Sequence, residues 1–432
     1  MIKLLIGGSP CTSWSIAQSK NRETTAEGIG WELFRNYLIA REKYQPDYFL
    51  YENNKSMAKA IRNQIDVEFC RPYDESPYWV LVWEQCSKDG HCASWRYRHI
   101  EGYEKTISRI LINSALVSAQ NRQRYYWTDI PGVEQPEDRG IFLRDILDGT
   151  HVNDQEGKAR TIKAQYAKTS IANVTYTASY GATMAAEPVK VCNINGGGLG
   201  GNGQGFYAKP VRVGDIGAVP LIVPEATKKG LVEILPGECV DMAMISSKTR
   251  RGRKMTAKSN CLTTSCQMFE YCGTVDKPIY EVRDGRINIK GEWYEIKLVD
   301  GFYIIRKLTV LECMRLQTVP DAYTFPVSDT QAYKMLGNGW TCDVIAHILS
   351  HAPEITTEPL EMLSMYDGMS CGHIALDKLG ADVVRYYATE IDKYAIKTTM
   401  HNYPDTIQLG DAFQVRENGW TLEMPKPPED TN

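Results

Sequence analysis

Residues 2–15 read Ile2-Lys-Leu-Leu-Ile-Gly7-Gly8-Ser9-Pro10-Cys11-Thr-Ser-Trp-Ser15. A short apolar run closed by two glycines, a serine and a proline is how a buried parallel strand ending in a loop reads. Residues 12–28 are polar and carry Gly, Ser and Thr, which predicts a mobile loop. From Ile29 to Glu42, Trp31, Phe34, Leu38 and Ile39 recur at helical spacing, and Tyr48 to Tyr51 reads as a second strand with Glu52 just past it. Strand, helix, strand is a βαβ unit. Cys11 and Glu52 then fall at carboxyl ends of parallel strands, where open α/β sheets place their sites.

Working outward, Asn113 to Val117 is a further strand candidate, followed by Gln120-Asn-Arg122-Gln-Arg124 and the aromatic run Tyr125-Tyr126-Trp127. After Pro131 the texture changes. Residues 131–300 are rich in Gly and Thr and poor in long helical periods, the mark of a separate module of short strands and loops. Lys248, Arg250, Arg251, Arg253, Lys254 and Lys258 cluster there with no acid among them. Helix returns at 308–318, and an apolar helix at 340–350 follows Gly337-Asn338-Gly339. A polar stretch from His351 to Pro359 links to a second α/β segment: strand Leu360–Tyr366, helix Gly372–Leu379, strand Val383–Thr389, helix Asp392–Asn402 and strand Thr406–Leu409. Residues 425–432 read as a solvated tail.

At 432 residues the chain is too long for one ordinary core, so two domains or one large insertion is expected. A hydrophobic content of 43% and a charged content of 24% are those of a soluble globular protein. The formal charge of -4 means that any nucleic-acid affinity must come from local positive charge. The amino-terminal apolar stretch is too short for a signal peptide, and no stretch approaches the roughly 20 apolar residues of a membrane span. Twelve cysteines without zinc-site spacing fit a reducing cytoplasm, no bound metal, and thiols buried as small hydrophobes.

A Cys raised on a loop after a buried strand, beside backbone N–H groups, is placed to act as a thiolate nucleophile. A buried structural thiol is the plainer reading of an isolated Cys, and Glu52 at the next strand end tips Cys11 toward catalysis. Glu52 alone reads as a rim residue, and Arg122 and Arg124 as either a clamp or surface charge. Tyr366-Asp-Gly368-Met-Ser-Cys-Gly372 lies between a strand and a helix, where glycine admits a ligand close to the backbone and the helix N-terminus suits an anion. Glu390 ends the next strand, placed for a ribose hydroxyl, and Asp411 ends the third, placed for an adenine amino group. Ile391 and Ala412 follow them directly.

Together these residues resemble the DNA cytosine-5 methyltransferase family, over everything outside 131–300. Pro10-Cys11 resembles the family's nucleophile motif, and Gly7-Gly8-Ser9-Pro10-Cys11 is most similar to its eukaryotic de novo branch. Glu52-Asn53 is similar to the Glu-Asn-Val motif, and Gln120-x-Arg122-x-Arg124 to the Gln-x-Arg-x-Arg motif. Arg306-x-Leu308-Thr309, Glu312 and Arg315-Leu316-Gln317 look like the motif that packs against the recognition domain, and Gly337-Asn338 like the late Gly-Asn motif. Tyr366 to Gly372, Glu390 and Gly410-Asp411 look like the cofactor motifs that normally open the chain. Here they close it. Two other departures are Asn54 in place of valine and Ser370 where a glycine is usual.

The resemblance implies an α/β fold: a Rossmann-like class I methyltransferase with a mixed, mostly parallel sheet, circularly permuted, and a smaller target-recognition domain of strands and loops. Residues 1–130 would be the catalytic half, 131–300 the recognition domain, 301–350 the return segment and closing helix, and 351–424 the cofactor half. It implies S-adenosyl-L-methionine as cofactor, held by Pro10, Asn338, Tyr366, Gly368, Gly372, Glu390, Ile391, Asp411 and Ala412. Cys11 would attack cytosine C6, Glu52 would bind N3 and N4, Arg124 would bind O2, and Arg122 would support the site. The partner is double-stranded DNA, met by Ser15 and Arg22 in the closing loop, by the Lys248–Lys258 cluster on the phosphates, and by Thr263 near a base. A monomer in bacterial or phage-infected cytoplasm is expected, with a cognate restriction endonuclease as a candidate partner. An RNA or tRNA cytosine methyltransferase shares these motifs, although the length of 131–300 favours duplex DNA. A catalytically inactive DNA-binding regulator has no reason to keep them all.

Overall fold

A computed structural model describes residues 1–10, 13–14, 22–147, 158–164, 166–168, 184–188 and 301–417. Between 211 and 296 it describes 211–213, 216–218, 221–224, 231–234, 239–241, 253–255, 268–270, 274–275, 279–289 and 291–296. The chain divides into two compact units. One comprises Met1–Leu147, Gln155–Thr169 and Leu308–Asn432, the other Asp148–Asp154 and Ser170–Lys307.

In the first unit the apolar run forms β1 (Ile2–Gly7), and the loop leads into α1 (Gly28–Tyr44). Trp31, Phe34, Tyr37 and Ala40 of α1 are buried, and the helix stops at Gln45, which adopts a left-handed conformation just before Pro46. Next come β2 (Tyr48–Asn54), α2 (Lys59–Asp74), β3 (Trp79–Cys86), β4 (Ala93–His99), β5 (Glu104–Asn113) and β6 (Gln123–Thr128). After the second unit, α3 (Val310–Leu316) starts on a capping box in which Thr309 and Glu312 satisfy each other's backbone N–H. Then follow α4 (Asp329–Asn338), α5 (Cys342–Leu349), β7 (Leu360–Met365), α6 (Cys371–Leu379), β8 (Val383–Thr389), α7 (Lys393–Asn402), β9 (Ile407–Gly410) and α8 (Ala412–Glu417).

These strands form one nine-stranded sheet in the order β9-β8-β7-β1-β2-β6-β5-β4-β3. Neighbours from β9 to β2 are parallel, and those from β2 to β3 antiparallel. The sheet is therefore mixed. The first strand of the chain sits between two strands drawn from opposite ends of the sequence: Ile6 pairs with Leu50 on one side and Ser364 on the other. Two cores cover the two faces, as burial of both faces of a parallel sheet requires. One gathers α1, α2 and Val415 of α8 on residues such as Leu5 and Leu363, and the other gathers α5 and α6 on Leu4, Ile6 and Met362.

Several expectations need correcting. Glu52 lies inside β2 rather than past it, because β2 extends as far as Asn54 by pairing with β6. Asn113–Val117 is the end of β5 followed by a single 3-10 turn, Ser114–Leu116. The β3–β4 hairpin, α2 and α4 went unread. The linker 351–359 contains a helical turn, Glu354–Thr357, whose Ile355 is buried.

The second unit, taken by itself, contains a five-stranded sheet in the order Glu292–Glu295, Arg286–Ile289, Ile279–Arg283, Gly301–Lys307, Met184–Pro188. Ala186, Val282, Ile287 and Ile289 form its small core. Further short antiparallel strands form two- and three-stranded sheets. This unit takes Asp148–Asp154 and Ser170–Lys307, where the sequence reading gave a separate module of residues 131–300.

Candidate active site

The register of the sheet fixes which loops meet. Gly7 pairs with Met365, Met365 with Thr389, and Thr389 with Gly410, while on its other side Gly7 pairs with Tyr51. The segment leading to Cys11, the Tyr366–Ser370 loop, Glu390 and Asp411 thus leave the sheet from one row at its carboxyl edge. Glu52 stands one residue beyond that row. Cys11 itself, with Thr12 and 15–21, lies outside the described residues.

The segment before Cys11 is tethered by buried hydrogen bonds. Ser9 is buried, its hydroxyl lies 2.6 Å from the Tyr51 hydroxyl, and Asn53 Nδ2 donates to the Ser9 carbonyl at 3.2 Å. Burial pushes the Tyr51 pKa above its ordinary value, so its hydroxyl stays a neutral partner. Gly8 is there for want of space: an added Cβ would lie 2.9 Å from both the carbonyl oxygen and Oε2 of Glu52.

Both oxygens of Glu52 are engaged. Oε1 pairs with Arg124 Nε at 3.0 Å, and Oε2 accepts from Trp340 Nε1 at 2.9 Å. Arg124 is brought there by pairing opposite Asn54 in the β2–β6 register. Arg122, two residues earlier, is buried, and its guanidinium donates to the carbonyls of Gly337 and Gly339 at 3.3 and 2.7 Å. Arg22 donates to the Ser56 carbonyl and, at 3.4 Å, to that of Trp14. Asn54, the departure from valine, is buried and accepts a hydrogen bond from the Ser56 hydroxyl.

In the Tyr366–Ser370 loop the unusual serine explains itself. Ser370 sits at φ 59° and Tyr366 also at φ 59°, left-handed backbone that glycine normally takes. Buried polar bonds hold it there: Ser370 Oγ donates to Asp367 and lies 3.0 Å from Thr399 Oγ1, while Tyr386 donates to Asp367 at 2.6 Å. Burial raises the Asp367 carboxyl to about 6, against pulls the other way from Ser364, Ser370 and Tyr386. Glu390 Oε2 accepts from Gly368 N at 2.8 Å, and its Oε1 accepts from Ile391 N and Asp392 N. Asp411 Oδ1 accepts from Phe413 N at 2.9 Å.

An added Cβ on Gly368 meets nothing within 4 Å, Glu390 accepts from the Gly368 N–H, and Glu390 and Asp411 directly follow the neighbouring strands β8 and β9. That donor set and space fit a nucleoside carrying an amino-acid tail. The other residues assigned to the cofactor fall differently. Ile391 is 74% exposed, Pro10 and Asn338 are exposed, and Ala412 is buried against the first core. Gly372 is packed against the sheet rather than open to a ligand: a Cβ there would lie 2.1 Å from Ile6 Cδ1 and 2.8 Å from Met362 Cε.

Of the residues expected at DNA, Ser15, Lys248, Arg250, Arg251, Lys258 and Thr263 lie outside the described residues, and Arg253 and Lys254 lie on the strand Arg253–Met255. Among the described residues no cluster of His, Cys, Asp or Glu is placed to hold a metal ion, and no helix is long and apolar enough to cross a membrane. Sequence reasoning missed Asp367, within the loop it singled out, and Trp340, whose position directly after Gly337-Asn338-Gly339 was the one available signal.

The family model for C-5 cytosine-specific DNA methylases matches residues 1–80 and 218–353, half of the chain. The chain belongs to the C-5 cytosine-specific DNA methylases. It is similar to the orphan methyltransferase M.SPRI of Bacillus phage SPR, 24% identical over 400 residues that cover 80% of this chain and 81% of the relative. The type II methyltransferase M.FnuDI of Fusobacterium nucleatum is 32% identical over 78 residues, covering 18% and 22%. A solved DNMT2 mutant from Spodoptera frugiperda aligns over 81% of this methylase and 78% of its own chain at 12% identity, with a TM-score of 0.34. As a member of its family the methylase is a DNA (cytosine-5-)-methyltransferase, and S-adenosylmethionine is its expected cofactor.

Proposed function

We propose that the methylase modifies C5 of a cytosine rotated out of double-stranded DNA, at a short specific sequence, through a transient bond between Cys11 Sγ and C6. The observation that carries this reading is the row Tyr51, Gly7, Met365, Thr389, Gly410, which sends the nucleophile segment and the cofactor loops from one sheet edge. Within a duplex C5 and C6 are stacked, so the base must leave the helix, at a cost of roughly a few kcal/mol.

The Cys11 thiolate adds to C6 while N3 takes a proton from the Glu52 carboxyl, so the electron pair displaced from the ring collects at C5 without full negative charge. Arg124, already on Glu52, turns its remaining donors to O2, and Arg122 fixes the backbone behind them. S-adenosylmethionine, when bound, supplies the electrophilic methyl group that the enriched C5 takes up. Glu390 would hold the cofactor's ribose and Asp411 its adenine, and the Tyr366–Ser370 loop would receive its amino-acid tail. A water molecule then takes the C5 proton, the C–H electron pair re-forms the C5–C6 double bond and expels the thiolate to Cys11, and the N3 proton returns to Glu52.

We read the chain as a circularly permuted member of its family, with the cofactor half entering the sheet last. In support, Ile2 N donates to Pro359 O at 2.9 Å, so the segment joining α5 to β7 runs beside the amino terminus. The second unit supplies target recognition, with the cluster from Lys248 to Lys258 on the phosphates. The phage relative's name, an orphan methyltransferase, favours a stand-alone enzyme of a bacterial or phage-infected cytoplasm over one paired with an endonuclease. Expression in methylation-free bacteria followed by bisulfite sequencing tests the reading. A short motif protected from conversion is expected; a genome converted throughout, with methylated cytosine in RNA instead, contradicts it.

A further inference from the structure

Trp340 stands at the start of the segment that follows α4, and its backbone neighbours are fixed from three directions. Arg122 donates to the carbonyls of Gly337 and Gly339. Gln317 Nε2 donates to Leu336 O at 2.6 Å, while Gln317 Oε1 accepts from the Thr341 hydroxyl at 3.0 Å. That hydroxyl lies 2.8 Å from Ser114 Oγ. Residues 163–164 lie so close to Gly337 that a Cβ there would sit 2.4 Å from their backbone. Arg122, Gln317 and Thr341 are all buried, so these bonds are shielded from water and from rotameric exchange.

From this fixed backbone the indole reaches across to Glu52. Its Nε1 donates to Oε2 at 2.9 Å, and its ring edge Cζ2 lies 3.4 Å from where a Gly8 side chain would begin. A glutamate held only by Arg124 on one oxygen could still turn about its last torsion, which is broad for a carboxylate. A second donor on the other oxygen, carried by a planar ring on a different element, removes that freedom.

We propose that Trp340 is a positioning residue for Glu52, locking the plane of the carboxylate that faces cytosine N3 and N4; the inference rests on the role given to Glu52 above. The two arginines of the Gln120–Arg124 stretch then grip one carboxylate by two routes. Arg124 holds it directly, and Arg122 holds it through the backbone that carries Trp340. Tryptophan suits the task because the indole offers one donor and no acceptor, so it cannot compete with the base for a proton.

The test is a double-mutant cycle on the full chain with Trp340→Phe, which keeps the ring and loses the N–H, and Glu52→Gln. Single-turnover methylation of a duplex bearing the mapped motif slows roughly tenfold or more in W340F, the loss of one charge-assisted bond. Affinity for S-adenosylhomocysteine, measured by titration calorimetry, stays within about twofold. In the E52Q background, W340F brings no further slowing. Wild-type rates in W340F, slowing that multiplies with that of E52Q, or an equal fall in S-adenosylhomocysteine affinity each overturn the proposal. A readout free of turnover separates it from the methylation reading: the indole N–H resonance that vanishes in W340F shifts in E52Q, and an unmoved resonance refutes the contact whether or not the protein methylates.

Discussion

Asn53 Nδ2 donates to the carbonyl oxygen of Ser9 at 3.2 Å and lies 3.3 Å from its hydroxyl. A residue of β2 thereby ties down the segment that presents Cys11, two positions before the sulfur. Replacing Asn53 with Ala leaves a buried carbonyl unpaired, a cost of about 1–3 kcal/mol. Melting temperature falls accordingly. Single-turnover methylation falls by a larger factor than this destabilisation accounts for, since in the proposed mechanism the tether also aims Cys11. Equal melting and equal rates in N53A would show that the segment is held elsewhere.

Two glycines predict contrasting damage. At Gly8 an added methyl meets the backbone carbonyl and carboxylate oxygens of Glu52, so G8A shifts the carboxylate proposed to face cytosine and slows methylation roughly a hundredfold, more than its accompanying fall in melting accounts for. At Gly372 it meets the flexible ends of Ile6 and Met362, so G372A overpacks the sheet at about 1–3 kcal/mol and acts mainly on stability. Thermal melts paired with initial rates distinguish the two, and an exchange of these phenotypes would refute the placement of both residues.

Burial raises the Asp367 carboxyl to about 6, and Glu390 pushes in the same direction. The folded value lies above the unfolded one, so the fold favours the neutral acid. Its contribution is fully present below about pH 4 and is lost as pH rises toward 6, a change of roughly 3 kcal/mol. The difference in unfolding free energy between wild type and Asp367→Asn carries this slope, because other carboxylates cancel in the comparison. A difference that stays flat from pH 4 to pH 7 would contradict the raised value.

The parallel half of the sheet was legible where its strands are apolar runs ended by a turn signal, Ile2–Gly7 and Leu360–Met365, and in Val383–Thr389, which is buried only from Tyr386 onward. The antiparallel half was not. Val80, Leu81, Val82 and Trp83 are all exposed at the sheet's edge, so β3 shows no alternation of inward and outward residues. In α2, the polar composition and Pro72 near its end masked a helical period. Glu390 was legible as a candidate because it directly follows the strand Val383–Thr389, whereas Glu52 was singled out for a strand-end position and lies two residues inside β2. Trp340 was not legible, because its bond to Glu52 joins residues 288 positions apart and depends on a register that no local pattern encodes. Asp367 was hidden for a related reason: its partners Ser370 and Tyr386 become partners only once the loop is closed over α6 and β8.

The most direct test of the account joins the sulfur near the start of the chain to the methyl donor held near its end. A duplex bearing the mapped motif with 5-fluorocytosine at the target blocks release, because fluorine at C5 cannot leave as a proton does. Incubation with the protein and S-adenosylmethionine, followed by tryptic digestion and mass spectrometry, is predicted to give one adducted peptide, carrying on Cys11 a 5-fluorocytosine to which a methyl group has been added. An adduct on any other cysteine, or none from protein that methylates the ordinary duplex, would contradict it.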